Sequence, residues 1–313
     1  MLRRSKLLAL AASAALSAIV GLAPASSARA EDAAAAAAAP APTPAPPANT
    51  LSLNGDFTNT LTTAYITRGV LLENQGVIYQ NVGDLYFTLS DSPKTSFMVG
   101  FFNSINDHKT DNGSVDGSPG TGTVKDWYEF DFWLGFNFSV TKELAGQVLY
   151  QEFHSPNGGF GTCKNVQLKF TYDDSGIWKK DNGFKLAPYA LAFWELDGKA
   201  GTGNDEGLYI ETGIAPSVTF GSGDWPVTLS VPISAGFGFS DFYEDDEWFG
   251  YASVGVVGSV PLKFMSKYGS WTAFAGGYYY YYGPGVDGFN QGAGAHSNDD
   301  YLLVGQVGVG LQF

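Results

Sequence analysis

Eight ionisable side chains sit in segments that otherwise alternate apolar with small or polar residues: Arg68, Asp84, Glu129, Asp131, Lys169, Lys185, Glu195 and Glu211. Each falls on the polar side of its alternation, so if those sides line a wet lumen, the charges line it too. Strand direction puts Arg68, Glu129, Asp131, Glu195 and Glu211 toward one mouth. Four carboxylates against one guanidinium there set a negative potential that favours cations and neutral solutes over anions. The competing reading is a narrow, closed barrel in which these groups pair with one another and with Trp127, Trp133, Tyr189, Phe193, Tyr209, Phe249 and Tyr251. Barrel width permits either, and a passive diffusion pore for small solutes is the expectation.

Other chemistry has less support. The stretch "SDFYEDDEWFG" gathers Asp241, Glu244, Asp245, Asp246 and Glu247. Hard cations take carboxylate oxygens, but this spacing fits no standard calcium loop, so a solvated acidic loop is expected and no metal ligand is assigned. Three histidines are present, and His108 and His296 lie in Gly/Asp/Ser-rich loops. His154 precedes Ser155 at a strand end, where their side chains point to opposite faces and form no nucleophile–base pair. No catalytic or cofactor-binding residue is expected, and the chain is read as a non-enzyme.

The elements that must carry these residues have period two. In "DWYEFDFWLGFNFSV", Tyr128, Phe130, Phe132, Leu134, Phe136, Phe138 and Val140 share one face, with Trp127, Glu129, Asp131 and Trp133 on the other. The pattern predicts about twelve strands, near 51–68, 77–90, 94–104, 126–140, 143–154, 162–173, 184–197, 207–220, 226–240, 247–262, 270–282 and 301–313. An even count, many strands long enough to cross a bilayer when tilted, and compact connections alternating with longer ones predict an all-β fold: a transmembrane antiparallel up-and-down barrel over 51–313. A soluble sandwich also alternates, but its strands are commonly about 5–6 residues long.

The first fifty residues differ. "MLRRSK" followed by "LLALAASAALSAIVGLA" and "SSARA" reads as a signal peptide over 1–30, cleaved after Ala30, and the Ala/Pro-rich residues 31–50 read as a linker without a core. Removing the leader takes four basic residues and no acid, leaving 13 basic against 31 acidic, so nucleic acid is not an expected partner. The lone Cys163 forms no internal disulfide.

The last strand, "YLLVGQVGVGLQF", puts Tyr301, Leu303, Val307, Val309, Leu311 and the terminal Phe313 on one apolar side. It resembles the C-terminal strand signature of bacterial outer-membrane proteins, of porin-like barrel type. The resemblance implies an outer-membrane location, contact with lipid, and recognition of this strand by the barrel-assembly machinery. Near the other end, Tyr65, Arg68 and Gly69 in "LTTAYITRGVLLENQGVIYQ" match the opening hairpin of a proteobacterial outer-membrane family known as Gcw-type conserved hypothetical proteins. By alternation Arg68 falls on the polar face with Asp56, Thr58, Thr60 and Thr62, near the outer mouth. The resemblance implies a strand that runs into Tyr-x-x-Arg-Gly before the first outer loop. It implies no activity.

Overall fold

The structure, a computed structural model, describes residues 52–107, 126–178, 183–203, 206–222, 225–292 and 299–313. The expected signal peptide, the linker, His108 and His296 lie outside the described residues. The strands are β1 (Leu53–Thr62), β2 (Tyr65–Thr67), β3 (Val70–Glu73), β4 (Ile78–Asp91), β5 (Lys94–Asn106), β6 (Asp126–Ser139), β7 (Leu144–His154), β8 (Cys163–Tyr172), β9 (Tyr189–Asp197), β10 (Leu208–Ile214), β11 (Ser217–Phe220), β12 (Val227–Ser230), β13 (Ile233–Phe239), β14 (Phe249–Pro261), β15 (Ser270–Tyr282) and β16 (Tyr301–Gln312). Two short helices, α1 (Ser175–Trp178) and α2 (Pro284–Gly292), lie in connections.

All strands but β2 and β3 form one antiparallel sheet whose two chain-terminal strands pair, β1 against β16, with Phe57 opposite Leu311 and Thr62 opposite Gln306. β10 with β11, and β12 with β13, are single staves broken at Pro216 and Pro232, because proline has no N–H to give the ladder. The result is a closed barrel of twelve staves. Closure pairs the backbone groups that an open edge would leave bare. Phe313 completes the seam: its N–H donates to the Gly55 carbonyl at 3.0 Å, and the Gly55 N–H donates to the Phe313 carbonyl at 2.9 Å.

The pleat sorts side chains as the period predicts. On β16, Leu303 and Val307 are 68% and 52% exposed, while Val304 and Gln306 between them are buried. Tyr301, Val309 and Leu311 share the outward parity of Leu303 and Val307. On β6, Leu134 and Phe136 face out, and Asp131 and Trp133 face in. One pair is reversed from expectation. A register shift between Ser104 and Ile105 turns Trp127 outward, 47% exposed, and buries Tyr128 at 2% inside. Phe249 also leaves the expected lumen set: its ring packs with Phe237, Trp248 and Tyr281, and Trp248 and Tyr281 are exposed.

Ser52 and Phe313, the first and last described residues, lie at one end of the barrel, with the compact turns. Asp174 holds one of them. Its carboxylate accepts the Leu186 N–H at 2.9 Å, the Ala187 N–H at 2.9 Å and the indole N–H of Trp178. Burial pushes its pKa up, but these hydrogen bonds outweigh burial and hold it below its ordinary value. A depressed folded-state pKa gives stability that is present above the unfolded value and lost as pH falls through the folded one. Acidification into that range is expected to free this turn, seen as a change in Trp178 fluorescence that Asp174→Asn removes.

Candidate functional site: a hairpin seated in the lumen

The stretch expected to finish the first strand leaves the wall. The β1–β16 ladder stops at Thr62, and β2 and β3 form a separate hairpin, with Thr67 opposite Val70. Its two-residue turn is Arg68 (φ 50°) and Gly69 (φ 85°), the left-handed pair that a tight hairpin with the strand twist requires. Glycine is needed at 69 for a second reason: a Cβ there would sit 2.7 Å from the Tyr251 ring. Every residue from Ala64 to Glu73 is buried, Val70 and Glu73 completely.

What buries the hairpin is the inside of the barrel. Tyr65 donates its hydroxyl to Glu129 on β6, and its ring centroid lies 5.9 Å from that of Phe102 on β5. The Arg68 guanidinium lies 5.1 Å from the Phe153 ring on β7 and 4.9 Å from the Phe193 ring on β9, and its Nε donates to the Ala200 carbonyl at 3.3 Å. On the opposite arc of the sheet, Gly69 abuts Tyr251 of β14, and the Tyr243 hydroxyl donates to the Arg68 carbonyl at 2.7 Å. One segment that touches β5, β6, β7, β9 and β14 lies across the lumen. It enters from the end opposite the chain termini, the loop end.

The hairpin is clasped from α2. Asn290 accepts the Leu71 N–H through Oδ1 at 2.8 Å and donates Nδ2 to the Gly69 carbonyl at 2.8 Å. Both backbone groups are buried, so losing Asn290 strands a donor and an acceptor. Asn290→Ala is expected to speed hydrogen exchange at the Leu71 amide about tenfold or more, while the β15–β16 ladder keeps its protection.

The acidic loop also contributes to the filling. Phe242 and Tyr243, between its carboxylates, are buried at 1% and 0% exposure, and Phe242 packs 5.3 Å from Tyr209 and 6.3 Å from Phe193. Burial pushes the Tyr243 hydroxyl pKa well above its ordinary value, so the group remains a neutral donor to Arg68. Among the described residues, no group of three or more His, Cys, Asp or Glu is arranged to hold a metal.

The ionisable residues singled out in the sequence face inward on the wall, apart from Arg68, which sits in the turn of the hairpin, and Lys185, whose backbone bridges Ser217 near the terminus-end turns. The acids are tied to protein donors. Asp84 accepts the Trp133 indole N–H at 2.7 Å. Glu195 accepts the N–H groups of Gly201 at 3.0 Å, Gly207 at 2.6 Å and Ala200, which shapes its own loop. Glu211 accepts hydroxyls from Tyr189 at 2.6 Å, Tyr251 at 2.6 Å and Tyr209. Asp131 is fully buried, and Lys169 is half-buried in the terminus half. Alternation located these acids on the wall, and the competing closed-barrel reading names Trp133, Tyr189, Tyr209 and Tyr251 among their partners; the backbone donors to Glu195 and the Tyr65 hydroxyl on Glu129 were missed.

His154 makes no contact with Ser155. Its ring lies between Glu152, at 3.1 Å, and Thr162, at 3.2 Å, while the Ser155 hydroxyl turns away to the Tyr128 carbonyl at 2.6 Å.

No protein-family model and no curated protein matches the sequence. Solved structures similar to this one include the NanC porin, at 10% identity and a TM-score of 0.44, covering 83% of this chain and 100% of that one. An outer-membrane channel from Pseudomonas putida F1 has 8% identity and a TM-score of 0.43 over 86% and 100% of the two chains. The translocator domain of the autotransporter NalP from Neisseria meningitidis has 13% identity and a TM-score of 0.37 over 85% and 90%. These values are low, and the functional reading rests on the chain's own residues.

Proposed function

We propose that this chain is an outer-membrane barrel whose solute pathway is closed at the loop end by its own first loop. The observation that carries closure is the hairpin of residues 65–73, buried across the lumen and hydrogen-bonded on one side to Glu129 of β6 and on the other to Tyr243 of the β13–β14 loop. Location is supported by the leader pattern of residues 1–30, the apolar outward wall and the Phe-ended closing strand. Its partners are then the lipid bilayer, small solutes, and the assembly machinery that takes up the strand from Tyr301 to Phe313. Passive passage of solutes requires the hairpin to leave. The outer-half acids do not form a cation filter in the closed barrel, because Glu129, Glu195 and Glu211 accept hydrogen bonds from within the protein. Planar bilayers containing purified wild-type protein are expected to stay at the bare-membrane current; steady single-channel steps from the wild type contradict closure.

A further inference from the structure

The terminus half of the lumen has a different chemistry from the plugged half. On the inward face of β6, β7 and β8, Gln147 Nε2 donates to Asn137 Oδ1 at 2.9 Å, and Gln167 Nε2 reaches Gln147 Oε1 at 3.5 Å. All three are half-buried and face the lumen. Further toward the loop end, the same wall carries Gln151 and Asn165, register partners on β7 and β8, 4% and 0% exposed. Gln151 Oε1 and Asn165 Nδ2 have no hydrogen-bond partner there. Leaving a buried polar atom without a partner is costly, and native proteins retain such atoms where something else satisfies them.

We propose that this face of β6–β8 is a binding track for neutral, polyhydroxylated solutes such as oligosaccharides. A carboxamide offers both a donor and an acceptor, matching a hydroxyl that both gives and accepts. Lys169, the register partner of Gln147 on β8, is the charge beside the track; the carboxamides themselves offer little to offset the dehydration of a charged ligand. The lower end of the track, Asn137, Gln147 and Gln167, is open at the terminus side while the hairpin is seated. The upper end, Gln151 and Asn165, is reached when the hairpin leaves, and solute hydroxyls or water then satisfy its orphaned atoms. The inference rests on the closed-pathway reading and names what the pathway takes.

The test is calorimetric titration of the full folded chain in detergent micelles with the neutral trisaccharide raffinose, checked against sodium glutamate. Saturable raffinose binding is expected, weakened about tenfold by Gln147→Leu and by Gln167→Leu, each of which removes donors and acceptors from the track. In liposomes carrying a barrel whose residues 65–73 are replaced by a short Gly/Ser connection, Asn165→Leu is expected to lower raffinose flux about tenfold. The track is refuted if the folded wild type binds no raffinose, if both leucine variants bind it as the wild type does, or if glutamate binds more tightly. Current steps from the wild type would remove closure and leave the raffinose titration standing, so the two failures are separable.

Discussion

Replacing residues 65–73 with a short Gly/Ser connection is expected to turn a barrel without conductance into one with discrete current steps. The wall does not need the hairpin. β1 is paired on one side with β16 and on the other with β4, through Thr62 in both ladders, and neither ladder includes β2 or β3. Removing the hairpin takes Tyr65 and Arg68 from between β6, β7 and β9 and clears the middle of the loop half. It also forfeits the burial of Ile66, Val70, Leu71 and Leu72, roughly 1.5–3 kcal/mol for each fully buried side chain, so the variant is expected to be open and less stable. Phe242 and Tyr243 remain, which makes the expected conductance smaller than that of an empty barrel. A folded variant that stays silent in bilayers would show that other loops suffice to close the lumen.

Glu211→Ala is expected to be the most destabilising single substitution in the lumen. The carboxylate sits at 4% exposure and accepts three tyrosine hydroxyls, from Tyr189, Tyr209 and Tyr251. Removing it strands buried donors and opens a cavity, for a loss of about 3 kcal/mol or more. Glu211→Gln keeps an acceptor oxygen and is expected to cost less than half as much. Urea unfolding in vesicles, followed by tryptophan fluorescence, measures both; equal midpoints for wild type and Glu211→Ala would rule out this cluster as a stabilising element.

Most of the wall was legible in the sequence, because a barrel stave has one wet and one dry side and so writes its period into the chain. The seam was legible too, since outward Leu303 and Val307 alternate with inward Val304 and Gln306. The first arm of the hairpin, through Arg68, reads as the end of the first wall strand, and its second arm as loop. Arg68 keeps the polar parity of Asp56, Thr58, Thr60 and Thr62, although Ile66 falls on that side and Thr63 and Thr67 on the other; a plainer difference lies in the solid apolar run Val70-Leu71-Leu72, the mark of a strand buried on both sides. Together with Arg-Gly between Thr67 and Val70, that run was the available signal for an inserted turn. The exchange of Trp127 and Tyr128 followed from a bulge at Ser104–Ile105, and a one-residue slip leaves no trace in composition. Alternation put Tyr189, Tyr209 and Tyr251 on the inward faces as candidate partners of the acids, but did not say which acid each would reach, because Tyr189 and Tyr251 come to Glu211 from 22 and 40 residues away.

Thiol accessibility in native membranes tests the central claim most directly. In a Cys163→Ser background, cysteine is placed at Val70, which is fully buried in the hairpin, and separately at Gln167, which is half-buried on the open side of the lumen. A small charged thiol reagent is expected to modify the Gln167→Cys protein rapidly and the Val70→Cys protein at least a hundredfold more slowly, the ratio set by a local opening free energy of about 3 kcal/mol. Comparable rates at the two positions would mean that the hairpin does not occupy the lumen, and would contradict the account.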